Sequence, residues 1–172
     1  MKNLVLVFLQ IFILSLTFAQ PAELMIKSGS KGFYLDHTVT AKEGLFPISR
    51  LYNVHPRHIA NFNNLDFNKG LAIGQLINIP LTDTNFSQTG NKGVPVYYRT
   101  IYKESLMGIS SKNNKVQLTD LRAWNNILDD QAPAGAKLII GFLITNEMKD
   151  RVVVITDKKK ETIAPPVEEK KS

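Results

Sequence analysis

HTVTAKEGLFPISRLYNVHPRHIANFNNL, residues 37–65, returns later in the chain as YRTIYKESLMGISSKNNKVQLTDLRAWNNI, residues 98–127. Lys42-Glu43-x-Leu45-x-x-Ile48-Ser49 aligns with Lys103-Glu104-x-Leu106-x-x-Ile109-Ser110 at an offset of 61. Phe62-Asn63-Asn64-Leu65 aligns with Trp124-Asn125-Asn126-Ile127 at 62, and Gly74-x-x-Ile77-x-Ile79 with Gly135-x-x-Leu138-x-Ile140 at 61 again. Three blocks in the same order, with a one-residue drift that loops can absorb, establish an internal duplication.

The local pattern within each unit is strand, helix, helix, strand. Residues 37–40 and 98–101 are rich in β-branched and aromatic side chains, a strand signal. Leu45, Ile48, Ser49 and Tyr52 fall at i, i+3, i+4 and i+7, one face of a short helix. Pro47 falls in its first turn, where a missing N–H costs little. Gly44 and Ser105 stand at the N-cap position, Ser105 being the better acceptor. A second helix starts with Pro56 and has Ile59 and Phe62 as its apolar face; the matching face of its twin is Leu121 and Trp124. Residues 75–79 and 137–140 read as closing strands.

The ends differ in character. Residues 1–19 have Lys2, then an apolar run from Leu4 to Phe18 broken by Gln10, then Thr17-Phe18-Ala19. That is the layout of a signal peptide cleaved after Ala19. The run is fifteen residues long, short for a bilayer that needs about 20. Residues 157–172 carry five lysines against four acids and the pair Pro165-Pro166, a composition that reads as a disordered charged tail. Between these ends, 20–36 is a lead-in, 37–80 the first unit, 81–96 a linker rich in Thr, Asn, Ser and Gly, and 97–141 the second unit. Residues 142–156, with the block Arg151 to Thr156, are a candidate extra C-terminal strand. The fold class is α+β.

The whole chain has 172 residues, a formal net charge of +6 and no cysteine. Without cysteine there is no disulfide framework, thiolate metal site or thiol nucleophile, and an exported protein of this kind is held by packing alone. Removing Lys2 and the tail lowers the charge by one each, leaving +4 scattered over residues 20–156. Scattered charge and export both argue against nucleic acid.

These residues resemble LysM domains. The matching motifs are Thr38-Val39, Glu43-Gly44-Leu45, Ile48-Ser49, Asn63-Asn64-Leu65 and Gly74 to Pro80, then Glu104-Ser105-Leu106, Ile109-Ser110, Asn125-Asn126-Ile127 and Gly135 to Ile140. The resemblance implies tandem βααβ units, each with two helices on one side of a two-stranded antiparallel sheet. It implies binding of N-acetylglucosamine polymers, peptidoglycan or chitin, in a shallow groove. Carried over, unit one offers Lys42, Glu43, Gly44, Leu45 and Phe46 on one wall and Leu71, Ala72, Ile73 and Gly74 on the other. Unit two offers Glu104, Ser105, Leu106 and Met107 facing Ala132, Pro133, Ala134 and Gly135. Three positions depart from the family pattern. Lys42 and Lys103 replace a glycine, Gly44 replaces a threonine, and Ile140-Gly141 stands where Ile-Pro is usual.

Other chemistry is sparse. His55-x-x-His58 has the spacing of a metal pair, yet unit two has Gln117 and Asp120 there and no third ligand is evident. Glu43 and Glu104 stand 61 positions apart in separate units, so they read as caps of the first helices and not as an acid–base pair. Asn63 and Asn125 suit hydrogen bonds to the backbone of the following turn. No catalytic motif, metal or cofactor is expected. The expectation is a secreted or periplasmic, non-catalytic protein of the cell envelope whose partner is an N-acetylglucosamine polymer. The alternative is a periplasmic scaffold that has kept the fold, lost glycan binding and gained an envelope protein partner. No membrane span is expected after signal cleavage.

Overall fold

The computed structural model describes residues 23–145. The expected signal peptide (1–19), the candidate strand over residues 151–156 and the expected charged tail (157–172) lie outside the described residues.

Unit one consists of β1 (Leu24–Met25), β2 (Lys27–Gly29), β3 (Gly32–Thr38), α1 (Leu45–Tyr52), α2 (Pro56–Phe62) and β4 (Leu76–Pro80). β3 and β4 pair antiparallel with Leu35 opposite Ile79 and His37 opposite Ile77. Leu35, Ile77 and Ile79 are buried with Ile48 and Ile59 from the helices, so the alternating strand face and the helical stripe close one core. The predicted face of α1 is the buried one: Leu45, Ile48, Ser49 and Tyr52. Asn53, at φ 51°, takes the left-handed conformation that ends α1.

Unit two continues with β5 (Phe86–Ser87), β6 (Val94–Arg99), β7 (Glu104–Ser105), α3 (Leu106–Lys112), α4 (Leu118–Asn125), β8 (Gln131–Ala132) and β9 (Lys137–Leu143). β6 and β9 form its central antiparallel pair, with a bulge between Val96 and Tyr97. Ser105 caps α3 by accepting from the Gly108 N–H at 3.1 Å, as its position predicts.

The two larger sheets are wider than two strands, beside a separate two-stranded β7-β8 ladder. β2 extends the first into β2-β3-β4, and the second is β1-β6-β9-β5. The first strand starts at Gly32, five residues before His37, because β3 is the return arm of a hairpin that begins in the lead-in. Phe142 and Leu143 belong to β9 itself, which runs past the expected end at Ile140 to pair with β5. Gly141 makes this crossing feasible. A Cβ there would stand 2.6 Å from the Phe86 ring and 2.7 Å from the Ser87 carbonyl oxygen. This is why Gly141 occupies the place of the family's proline: β4 stops at Pro80, whereas β9 must pass beneath Phe86.

The units share one buried cluster. β1 lies parallel to β6 of unit two, while the adjoining β2 pairs with β3 of unit one. Ile26 sits between them, buried, and its N–H donates to the Tyr97 carbonyl at 2.8 Å. The segment expected as a linker is pinned as well. The buried Asn85 amide donates to the Tyr52 and Pro80 carbonyls at 3.1 and 3.2 Å and accepts from the Thr82 N–H at 2.8 Å. The Gln88 amide bridges the carbonyls of Asn113 and Ile140, both at 2.9 Å, and the Thr145 hydroxyl donates to the Leu51 carbonyl at 2.7 Å.

Candidate functional site

Each unit brings its first turn and its second loop together through the same two backbone bonds. In unit one the Gly74 N–H donates to the Val39 carbonyl at 2.8 Å and the Val39 N–H to the Gln75 carbonyl at 2.9 Å. In unit two Gly135 donates to Thr100 at 2.9 Å and Thr100 to Ala136 at 3.0 Å. Gly74 and Gly135 have φ of 82° and 76°, a conformation that favours glycine. The repeat in sequence is thus a repeat of geometry: in both units the end of the first strand is tied to the glycine that precedes the closing strand.

The turn of unit one is held by a polar chain. Glu43 Oε2 accepts from the Thr40 N–H at 2.8 Å and lies 2.9 Å from His37 Nε2, while His37 Nδ1 lies 3.0 Å from the Tyr52 hydroxyl. A proton on Nε2 serves the carboxylate and leaves Nδ1 to accept from Tyr52. Burial pushes the Glu43 carboxyl up, but the Thr40 N–H and the His37 contact outweigh it and hold the group below its usual range. Glu43 therefore braces the turn, and capping of the helix is not its role. Lys42 enters that turn at φ 69°, the left-handed conformation that the family's glycine would adopt freely, so the lysine keeps the backbone shape at a steric cost.

Leu45 is buried, so its side chain belongs to the core. Phe46 and Ile73 point outward, 60% and 75% exposed. Phe46 meets Phe67 edge to face, with ring centroids 5.8 Å apart, and the Arg57 guanidinium lies 4.4 Å from the Phe67 ring centre. Phe67 escaped the sequence reading because the second unit has no aromatic twin for it. An aromatic residue in an otherwise polar loop was the available signal.

Unit two closes differently. β7 and β8 form a short ladder, Glu104 opposite Ala132 and Ser105 opposite Gln131, and the Leu106 N–H donates to the Asp130 carbonyl at 2.9 Å. Glu104, Leu106 and Ala132 are buried. Their side chains face inward, and part of their backbone is spent on the ladder. Glu104 accepts from the Lys112 ammonium at 2.6 Å and from the Tyr98 hydroxyl at 3.0 Å. Burial pushes this carboxyl up, yet the bonds from Lys112 and Tyr98 prevail and lower it. Tyr98 occupies the place of His37, so each turn acid is held by the same strand position.

An open cleft of about 620 Å³ remains in unit two, lined by Lys103, Asp129, Asp130, Gln131 and Pro133. Of these only Pro133 was among the expected wall residues. Met107, 62% exposed, occupies the position of Phe46. Among the described residues, no cluster of three or more His, Cys, Asp or Glu side chains could hold a metal ion. His55 caps α2 by accepting from the Arg57 N–H at 3.3 Å.

The LysM domain profile matches residues 37–80 and 98–141. The two matches cover 44 residues each, 88 of the 172. The chain belongs to the LysM-domain family. LysM domains bind N-acetylglucosamine polymers such as peptidoglycan and are typical of extracellular and cell-wall proteins. No curated protein matches the chain. Among solved structures it is similar to the spore cortex-lytic enzyme SleL of Bacillus cereus, with 23% identity over 63% of this chain and 23% of that one, at a TM-score of 0.32. It is also similar to SleL of Bacillus megaterium QM B1551, with 21% identity over 62% and 22% of the two chains, at 0.28. The chain thus spans less than a quarter of either enzyme, and likenesses this loose carry no argument. Among the described residues no helix is long and apolar enough to cross a membrane.

Proposed function

We propose that this LysM protein is exported to the cell envelope and there holds peptidoglycan or a related N-acetylglucosamine polymer, without catalysis of its own. The observation that carries this reading is the duplicated apposition of turn and loop, with Phe46, Ile73 and Met107 exposed beside it. Apolar side chains suit the methyl of an N-acetyl group and the carbon face of a sugar ring, and neighbouring backbone groups suit its amide. The proposed contacts in unit one are Lys42, Glu43, Gly44, Phe46, Leu71, Ala72, Ile73 and Gly74, with Leu45 offering backbone only. In unit two they are Ser105, Met107, Pro133, Ala134 and Gly135, with Glu104, Leu106 and Ala132 offering backbone only. Two weak sites on one polymer gain by avidity.

Export is supported by the Lys2–Ala19 pattern. A non-catalytic role is supported by the two turn acids, each engaged by structural partners in its own unit. Clearing of a cell-wall suspension by this chain alone would overturn that role. The glycan reading is tested by co-sedimentation of the full chain with insoluble peptidoglycan and chitin. Retention on either polymer supports it, and retention on neither sinks it.

A second reading, a scaffold that has lost glycan affinity, draws support from the β7–β8 ladder, which occupies backbone a sugar would need. Envelope crosslinking that captures a protein partner would support it, and recovery of glycan alone would count against it.

A further inference from the structure

The two grooves occupy equivalent places in the repeat but differ in chemistry. Phe67 stands two residues after Leu65, and Asp129 two residues after Ile127, its repeat partner. In unit one that position gives an aromatic ring that packs on Phe46 and is backed by Arg57. In unit two it gives an acid, and the cleft it lines is also lined by Lys103.

The neighbouring charges are accounted for. Asp130 is paired with Arg122 through Nη2, and Arg122 Nη1 donates to the carbonyls of Leu128 and Asp129 at 2.9 and 3.0 Å. This fixes the loop and leaves the Asp129 side chain outside the network. Among the described residues neither the Lys103 ammonium nor the Asp129 carboxylate has a hydrogen-bond or ion-pair partner. Lys42, the repeat counterpart of Lys103, faces no such acid at the Phe67 position.

Resting on the glycan reading above, we propose that the grooves divide the polymer between them. Phe46 and Phe67 take neutral amino sugar, while the Lys103–Asp129 cleft takes a charged segment that carries both carboxylate and ammonium groups, as a peptide-substituted glycan strand does. The cation reads the carboxylate and the anion the ammonium, so a neutral chain of N-acetylglucosamine leaves this cleft unused.

The test uses the full chain and two soluble probes, a neutral N-acetylglucosamine oligomer and a peptidoglycan fragment with stem peptides attached. The double variant Lys103→Ala/Asp129→Asn is expected to lower the fragment-to-oligomer affinity ratio roughly three- to ten-fold, the scale of two exposed charge contacts. Phe46→Ala is expected to raise that ratio. In the wild type, added salt weakens fragment binding and spares the oligomer; this arm needs no variant to fold. An unchanged ratio in the double variant, or salt sensitivity equal for both probes, overturns the division while glycan binding stands. If the wild type binds neither probe, the division and the glycan reading fall together.

Discussion

Asn63 and Asn78 exchange a reciprocal pair of hydrogen bonds: Asn63 Oδ1 accepts from the Asn78 N–H at 2.8 Å, and Nδ2 donates to the Asn78 carbonyl at 2.7 Å. The same Nδ2 reaches back to the Ile59 carbonyl at 2.8 Å. Asn125 repeats this on Ile139, at 2.6 and 2.8 Å, and on Leu121 at 2.8 Å. One side-chain amide thus acts as a short strand edge that joins the end of the second helix to the closing strand. Replacing Asn63 or Asn125 with alanine should cost about 1–3 kcal/mol, because partly buried backbone groups lose their partners. Urea unfolding checks this; a change below about 0.5 kcal/mol, the scale of an ordinary surface substitution, would contradict it.

Gly141 lies under Phe86 with no room for a methyl group. Gly141→Ala should destabilise by about 1–3 kcal/mol through overpacking. Adding Phe86→Ala should recover part of the loss, since the ring is the nearest obstacle. A double-mutant cycle with no coupling would show that β5 is not seated on β9 as described.

Ile26 joins the two units, so its truncation should be felt by both. Ile26→Ala is expected to cost about 2–5 kcal/mol, as for other buried Ile-to-Ala changes, and to lower a single unfolding transition. Two separate transitions in the wild type, with only one shifted by the variant, would contradict a shared core.

The pH dependence follows from the two turn acids. Glu43 and Glu104 are both held below the ordinary carboxylate value of 4.5 in the folded state, so the unfolded chain takes up their protons first. Their stabilisation is complete above that value and is lost as pH falls through the lower folded values. The melting temperature should therefore drop on acidification below about pH 5. Glu104→Gln should melt lower near neutrality and show a shallower acid slope, measured by thermal melts across pH. Parallel curves for variant and wild type would exclude Glu104 from this dependence.

The repeat, the helix faces and the Ser105 cap were legible because they rest on local rules: Leu45, Ile48 and Tyr52 at helical spacing, and Ser105 before a leucine. The same rules misread Glu43 as a cap, because its bonds to His37 and Thr40 reach back to the strand and turn. Positions 63 and 125 were legible as structural, although their amides grip the closing strand and their own helix, a long-range pairing that local turn rules do not encode. β1 and β2 were not legible, since strands of two or three residues, the first half-buried and the second exposed, are too short to show a hydrophobic period. Asn85 looks like loop composition, yet its amide satisfies carbonyls on two other segments. The proposed groove walls rest on the family pattern, whereas Phe67, Lys103 and Asp129 lie outside it and depend on loops that differ between the units.

This LysM protein is proposed to hold an N-acetylglucosamine polymer through its exposed groove residues. The most direct measurement is co-sedimentation of the full chain with purified peptidoglycan, alongside the Phe46→Ala/Met107→Ala variant. Both replaced side chains are solvent-exposed, so the variant should keep its fold. Wild-type protein is predicted to leave the supernatant with the polymer, and the variant to remain there in larger part. A wild-type supernatant that is the same with and without peptidoglycan would contradict glycan binding.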